Sequence, residues 1–193
     1  MKKIAVKDEV LTADFAEMLV FTQQELGEVP EFRKAKGRQI NLRGALTLAV
    51  VAMAAGKTSY RGMARFAKQR EKALMPLLGL KRAPSYSTFR RIIKGVVPES
   101  MRKVLQRTSA KMLEDKARQV VVVDAKTRRG CVDEQGRQVQ VAAATEQNTG
   151  VELDAMPCPG EGTELPTGRQ LVKDVLQHNS RVVLSTGDAL YAD

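Results

Sequence analysis

The chain has no tryptophan, only 4% aromatic residues and a single histidine, His178. Any core must therefore be built mainly from Leu, Val, Ile, Ala and Met. The three tyrosines, Tyr60, Tyr86 and Tyr191, do not cluster, so the stacking platforms of RNA-binding modules are missing. The two cysteines, Cys131 and Cys158, sit in no CxxC or other metal-ligand spacing. They read as buried or half-buried thiols in a reducing compartment. His178 closes a polar, helix-like stretch and suits a surface or helix end. No apolar run is long enough to span a bilayer; the longest, Ala45–Ala55, reads as a buried helix. Lys7, Asp8 and Glu9 interrupt the N-terminal stretch before a signal-peptide core can form. A cytoplasmic protein with no membrane partner is expected.

Acidic side chains are the most unevenly missing residues. Between residues 33 and 111 there are 20 Lys and Arg but only two acids, Glu71 and Glu99. Residues 1–118 carry 25 basic and 11 acidic side chains, a balance of +14, and residues 119–193 carry 7 and 11, a balance of −4. A solvated helical surface usually mixes both signs. A one-signed tract of this length points to a polyanion, with nucleic acid first.

The apolar spacing divides the chain near residue 117. Before it, helices are predicted over Thr12–Leu26, from an Asn41 cap to Ala55, over Tyr60–Gln69 capped by Ser59, and over Glu71–Leu78 ending at Gly79. A fifth helix, Thr88–Gly95, is capped by Ser87, and a sixth, Glu99–Lys116, follows Pro98. Beyond the divide, strands are predicted over Gln119–Val123, Gln138–Thr145 and Gly150–Met156, the last two joined by a turn at 147–150. A Gly- and Pro-rich loop, Gly160–Gly168, leads to a helix over Arg169–His178 with Leu171, Val172, Val175 and Leu176 inward. A strand over Arg181–Thr186 completes the order. The fold class is α+β. An all-helical domain over 1–117 precedes a partial ribonuclease-H-like sheet over 118–193, ordered strand-strand-strand-helix-strand.

Two of these strands run into aspartates, Asp124 and Asp188. Carboxylates at neighbouring strand ends can share a hard cation, Mg²⁺ or Mn²⁺, and paired ions serve phosphodiester chemistry. An aspartate after a buried strand is also a common loop cap.

The stretch Val120–Gly130 (VVVVDAKTRRG) resembles the "IDGKTLRGS" segment of the H-repeat-associated insertion-sequence transposases, members of the DDE superfamily. The match holds at Asp124, Lys126, Thr127, Arg129 and Gly130, and departs at Ala125, Arg128 and Cys131. Asp188-Ala189-Leu190 resembles the family's "TADAL" strand end. Pro84–Arg91 (PSYSTFRR) resembles the "PS.ST.RR" stretch of its associated N-terminal domain. The resemblance covers roughly residues 30–193. It implies metal-dependent cleavage and transfer of DNA strands, with Asp124 and Asp188 as catalytic metal ligands. The family's third ligand is a glutamate on a helix well beyond the second aspartate. The sequence ends five residues after Asp188, so no residue takes that role. A truncated, catalytically incomplete transposase is expected, whether decayed gene, shortened product or one piece of a longer protein. The alternative is a non-catalytic DNA-binding regulator of the same descent.

The candidate DNA contacts form three groups. Arg33, Lys34, Lys36 and Arg38 lie in a flexible basic loop. Ser85, Ser87, Arg90, Arg91 and Lys94 sit in or beside the fifth helix, which with its preceding helix and turn allows a helix-turn-helix-like arrangement. The bland alternative there is an amphipathic helix with a solvated basic face. Lys126, Arg128 and Arg129 follow Asp124 and suit a scissile phosphate, or else balance nearby acids. The expected partner is double-stranded DNA at insertion-sequence ends, with a homo-oligomer left open.

Overall fold

The computed structural model describes residues 10–114, 118–133, 135–160 and 162–187. The order is α1 (Val10–Glu25), two short 3-10 turns (Leu26–Glu28 and Ala35–Gly37), α2 (Leu42–Ala54), α3 (Tyr60–Gln69), α4 (Glu71–Leu77), α5 (Tyr86–Gly95) and α6 (Pro98–Met112). Then come β1 (Gln119–Val132), β2 (Gln138–Glu146), β3 (Glu152–Pro157), α7 (Glu164–His178) and β4 (Val182–Gly187). The fold is α+β, helical first and then a sheet. No helix of the described residues is long and apolar enough to cross a membrane.

Two compact units divide at Val104/Leu105, inside α6. The change of charge and period near residue 117 lies later, because the second half of α6 belongs to the sheet. Leu113 joins the sheet's core, Ser109 Oγ donates to the Glu152 carbonyl at 2.6 Å, and Gln106 Nε2 donates to Asp154 Oδ2 at 2.8 Å.

In the first unit α2 is the central helix. Its residues Gly44 to Ala49 are all buried, whereas Met53, Ala54 and Ala55, at the far end of the run Ala45–Ala55 expected to be buried, are exposed. Asn41 caps it by accepting from the Gly44 N–H at 2.9 Å. Gly56, at φ 76°, closes it, with Lys57 N donating to the Ala52 carbonyl in a Schellman arrangement. Gly44 also lets the α4 end approach: a Cβ there would collide with the Leu78 carbonyl. Phe66 and Phe89 are the two fully aromatic members of a core otherwise made of Leu, Ile, Val, Ala and Met.

α5 starts earlier than predicted. Ser85, not Ser87, is its N-cap, accepting from the Thr88 N–H at 3.3 Å. α5 packs against α3 and α2. The helix preceding it in sequence is therefore not its main partner, and the expected pairing of α4 with α5 gives way to α3 with α5. The buried Phe89 and Ile92 face that way.

The second unit is a four-stranded sheet in the order β3-β2-β1-β4. β1 is antiparallel to β2 and parallel to β4, and β2 is antiparallel to β3. This is the predicted order of elements. α7 packs on one face, setting Leu171 and Val175 against Val121, Val123, Ala142, Ala144 and Leu153. Thr167 and Gly168 of the helix are buried, as are Ala142 and Ala144 of the strand.

Four predictions are corrected here. β1 does not stop at Val123 but runs to Val132, because antiparallel pairing with β2 continues past the parallel pairing with β4. α7 begins at Glu164, not Arg169. Pro166 falls in the first helical turn, where its missing N–H has no partner to lose. Leu176 is exposed rather than inward. Cys158 is buried as expected, whereas Cys131 is exposed on β1. His178 is exposed in the last turn of α7, its Nδ1 2.7 Å from the Asp174 carbonyl.

Candidate nucleic-acid interface and carboxylate site

α5 turns five exposed side chains outward, Tyr86, Ser87, Arg90, Arg91 and Lys94. At 100° per residue they fill an arc of roughly 140°, opposite the buried Phe89, Ile92 and Val96. Ser87 Oγ hydrogen-bonds Ser85 Oγ at 2.9 Å, and Ser85 Oγ also meets Thr88 Oγ1 at 3.0 Å. Ser85 is thus engaged in capping the helix.

The basic face extends onto α3, which the sequence reading did not single out. Arg61 and Arg65 are exposed and one turn apart, and the Arg61 guanidinium lies 5.8 Å from the Tyr86 ring centroid. Arg61, Arg65 and Lys68 stand at i, i+4, i+7, a spacing that could have revealed them as one face. Both acids of the one-signed tract are occupied. Glu71 accepts from Lys68 Nζ at 2.6 Å and from the Ala83 N–H at 2.9 Å. The Lys68 hydrogen bond, then the Ala83 one, pull its carboxyl below the ordinary value. Glu99 pairs with Arg102 at 3.6 Å.

The loop at 31–40 is braced rather than flexible. Arg33 forks onto Glu31, with Nε to Oε1 at 2.8 Å and Nη2 to Oε2 at 2.7 Å, and donates Nη1 to the Ile40 carbonyl at 2.8 Å. Its side chain is only 10% exposed. The Arg33 fork holds the Glu31 carboxyl down to about 2. Arg38 Nε donates to the Arg33 carbonyl at 2.8 Å. Arg33 therefore holds the loop together, leaving Lys34, Lys36 and the outer nitrogens of Arg38 to face solvent. The loop is fastened to the end of α5 by Phe32, whose ring fills the space beside Gly95.

In the second unit the sheet face opposite α7 carries Asp124. Pleating sends Val121 and Val123 inward and Val122, Asp124 and Lys126 outward. Lys126 Nζ lies 2.9 Å from Asp124 Oδ2, and Arg128 Nη2 lies 3.9 Å from Glu152 Oε2. With Val141, Ala143 and Thr145 these side chains line a shallow concavity. Asp124 and Glu152 are its carboxylates. Among the described residues no three His, Cys, Asp or Glu side chains converge as a metal-binding group. Asp188 and the side chain of Arg129 lie outside the described residues. Gly187, the residue before Asp188, is paired with Val123, the residue before Asp124.

The helical face and the braced loop come from one stretch of chain, and that stretch matches a known family over residues 23–108. The matching family is the one described as DDE_Tnp_1-associated. The matched stretch contains α2 to α5, the loop at 31–40 and most of α6. No curated protein matches the chain by sequence. Among solved structures, a piggyBac transposase synaptic complex with hairpin DNA, determined by cryo-EM, is similar with TM-score 0.33 and 14% identity. That alignment covers 90% of this chain and 41% of the transposase, so the chain spans about two fifths of its length.

Proposed function

We propose that the chain is a transposase-like protein that binds double-stranded DNA through the joined faces of α3 and α5. The carrying observation is the outward arc of Tyr86, Arg90, Arg91 and Lys94 continued by Arg61 and Arg65, with the only two acids of the tract already paired. A ten-residue helix is about 15 Å long, and an α-helix fits the major groove. Arg forks suit guanine edges and phosphates, and Lys suits phosphates. Lys34 and Lys36 add phosphate contacts from the loop. The resemblance to insertion-sequence transposases makes the ends of such an element the preferred duplex.

In the second unit Asp124 and Asp188 are proposed as the first two carboxylates of a DDE site. A divalent cation held there, Mg²⁺ or Mn²⁺, would supply an activated water or 3′-hydroxyl for phosphodiester chemistry. The donor chemistry fits, since Asp124 offers a hard oxygen on an open face and β1 and β4 run parallel up to Gly187. Lys126 and Arg128 would hold a phosphate beside it. A DNA-binding regulator without chemistry is the second reading, favoured by the ammonium of Lys126 already seated on Asp124.

The test is binding of a labelled duplex across a salt series, with and without Mg²⁺. Steep salt dependence is expected, losing about one unit of slope with each phosphate contact removed at Arg90, Arg91 or Lys94. Asp124→Ala should leave binding unchanged. Mg²⁺-dependent nicking lost in Asp124→Ala would assign chemistry to the aspartates and reject the regulator. Absence of binding at low salt would reject the DNA reading.

A further inference from the structure

Beyond Lys126 and Val141 the strands β1 and β2 leave the sheet as a ribbon. β4 pairs with β1 only as far as Val123, and β3 pairs with β2 no further than Val141. From Thr127 onward β1 pairs with β2 alone, with an irregular register between Thr127 and Val132, while the Gln140 carbonyl still accepts from the Cys158 N–H at 2.9 Å and Pro157, Pro159 and Gly160 line a concavity with the return strand. A bare two-stranded ribbon is marginal in water, and this one is ordered at its tip by a dedicated brace. Asp133 Oδ1 accepts from the Gln135 and Arg137 N–H groups, both at 2.9 Å, and its Oδ2 accepts from Arg137 Nε at 2.8 Å. Gly136, at φ 78°, makes the turn.

The chemistry of the ribbon differs from that of its unit. Residues 119–193 are net acidic, yet four of their seven basic residues, Lys126, Arg128, Arg129 and Arg137, fall within 126–137. Two acids, Asp133 and Glu134, lie in the same span; the Asp133 carboxylate is engaged by the brace, and Gln138 and Gln140 line the return strand. Val132 is 61% exposed and Cys131 is exposed beside it. Arginine and glutamine are the side chains that fork onto guanine and adenine edges, and apolar groups meet the thymine methyl. The register irregularity adds twist to the strands, and a two-stranded ribbon fits the major groove.

We infer that the β1–β2 ribbon is a second DNA-contacting arm, which reads a groove beside the phosphate held by Lys126 and Arg128. This rests on the DNA reading above but uses a different surface from α3 and α5. Because Asp124 and Cys131 share one strand, their separation is at most about 23 Å at ~3.3 Å per residue. That is about seven base pairs at ~3.4 Å each, so the arm and the acidic site address neighbouring positions on one duplex.

The full chain carries its own probe. A photo-crosslinker attached to the exposed Cys131, in a Cys158→Ala background, is presented with a random-sequence 30-base-pair duplex pool. Crosslinks to the duplex are expected. In a second chain, Asp124→Cys with Cys131→Ser and Cys158→Ala, crosslinks on duplexes selected by the wild type should fall within about seven base pairs of those from Cys131. Arg128→Ala with Gln138→Ala should weaken binding about tenfold and relax the preference recovered by sequencing the bound pool. Wild-type binding with no crosslink from Cys131 and no effect of the double variant would overturn the arm while leaving the α3–α5 interface standing. Loss of all duplex binding in the wild type would overturn both.

Discussion

Lys126 Nζ sits 2.9 Å from Asp124 Oδ2 on the open face of the sheet, two residues along the same strand. An ammonium and a divalent cation compete for one carboxylate. Removing the ammonium should therefore raise metal affinity, and the gain is bounded by the modest worth of an exposed pair. Lys126→Gln is expected to increase Mn²⁺ affinity by up to about fivefold in calorimetric titration, and Asp124→Asn to abolish binding. Unchanged affinity in Asp124→Asn would show that the carboxylate is not the metal ligand.

The Arg33–Glu31 fork makes the opposite prediction to a phosphate-binding arginine. Arg33→Ala should cost about 1–3 kcal/mol of stability by urea unfolding, since it removes charge-assisted bonds to Glu31 and one to the Ile40 carbonyl. It should change the salt slope of DNA binding little. Lys34→Ala and Lys36→Ala should do the reverse.

Acid should release the same fork. The folded Glu31 carboxyl is held at about 2, below its usual 4.5. A depressed carboxylate contributes its stability above the unfolded value and loses it as pH falls through the folded one. The stability difference between wild type and Glu31→Gln should therefore be full above about pH 5 and shrink from there towards pH 2. A constant difference across that range would contradict the fork.

Capping separates two serines that sequence alone confuses. Ser85→Ala should cost about 1 kcal/mol, because Ser85 is the N-cap of α5. Ser87→Ala should cost a few tenths at most, since Ser87 lies within the helix on its exposed face. Thermal unfolding of both variants distinguishes them, and equal losses would move the cap.

The turn between β2 and β3 depends on one buried carboxylate. Glu146 accepts from the Thr149 hydroxyl at 2.7 Å, the Thr149 N–H at 2.8 Å, and the Asn148 N–H and Nδ2, both at 3.1 Å. Its carboxyl is held below the ordinary value, chiefly by the Thr149 hydroxyl. Glu146→Ala should cost about 2–3 kcal/mol by leaving these donors without their acceptor. An unaffected melting curve would show that water replaces the carboxylate freely.

The sequence by itself determined the helical and sheet halves, the order of the elements, the Asn41 and Ser59 caps, and the buried character of α2. Each is carried by signals local to a few residues, namely apolar period, capping side chains and glycine. It also determined the missing acids of the basic tract, since charge is written directly in composition. Other outcomes depended on what lies opposite in space. β1 continues past Asp124 because β2 pairs with it there, and no residue of β1 announces that partner. α7 begins before Pro166 because a first-turn N–H needs no acceptor, so a residue that reads as a loop signal is compatible with the helix. Arg33 and Arg90 look alike in sequence. Tertiary structure alone separates them, because Glu31 and the Ile40 carbonyl converge on one guanidinium while the other faces outward beside Tyr86 on the face that Arg61 continues.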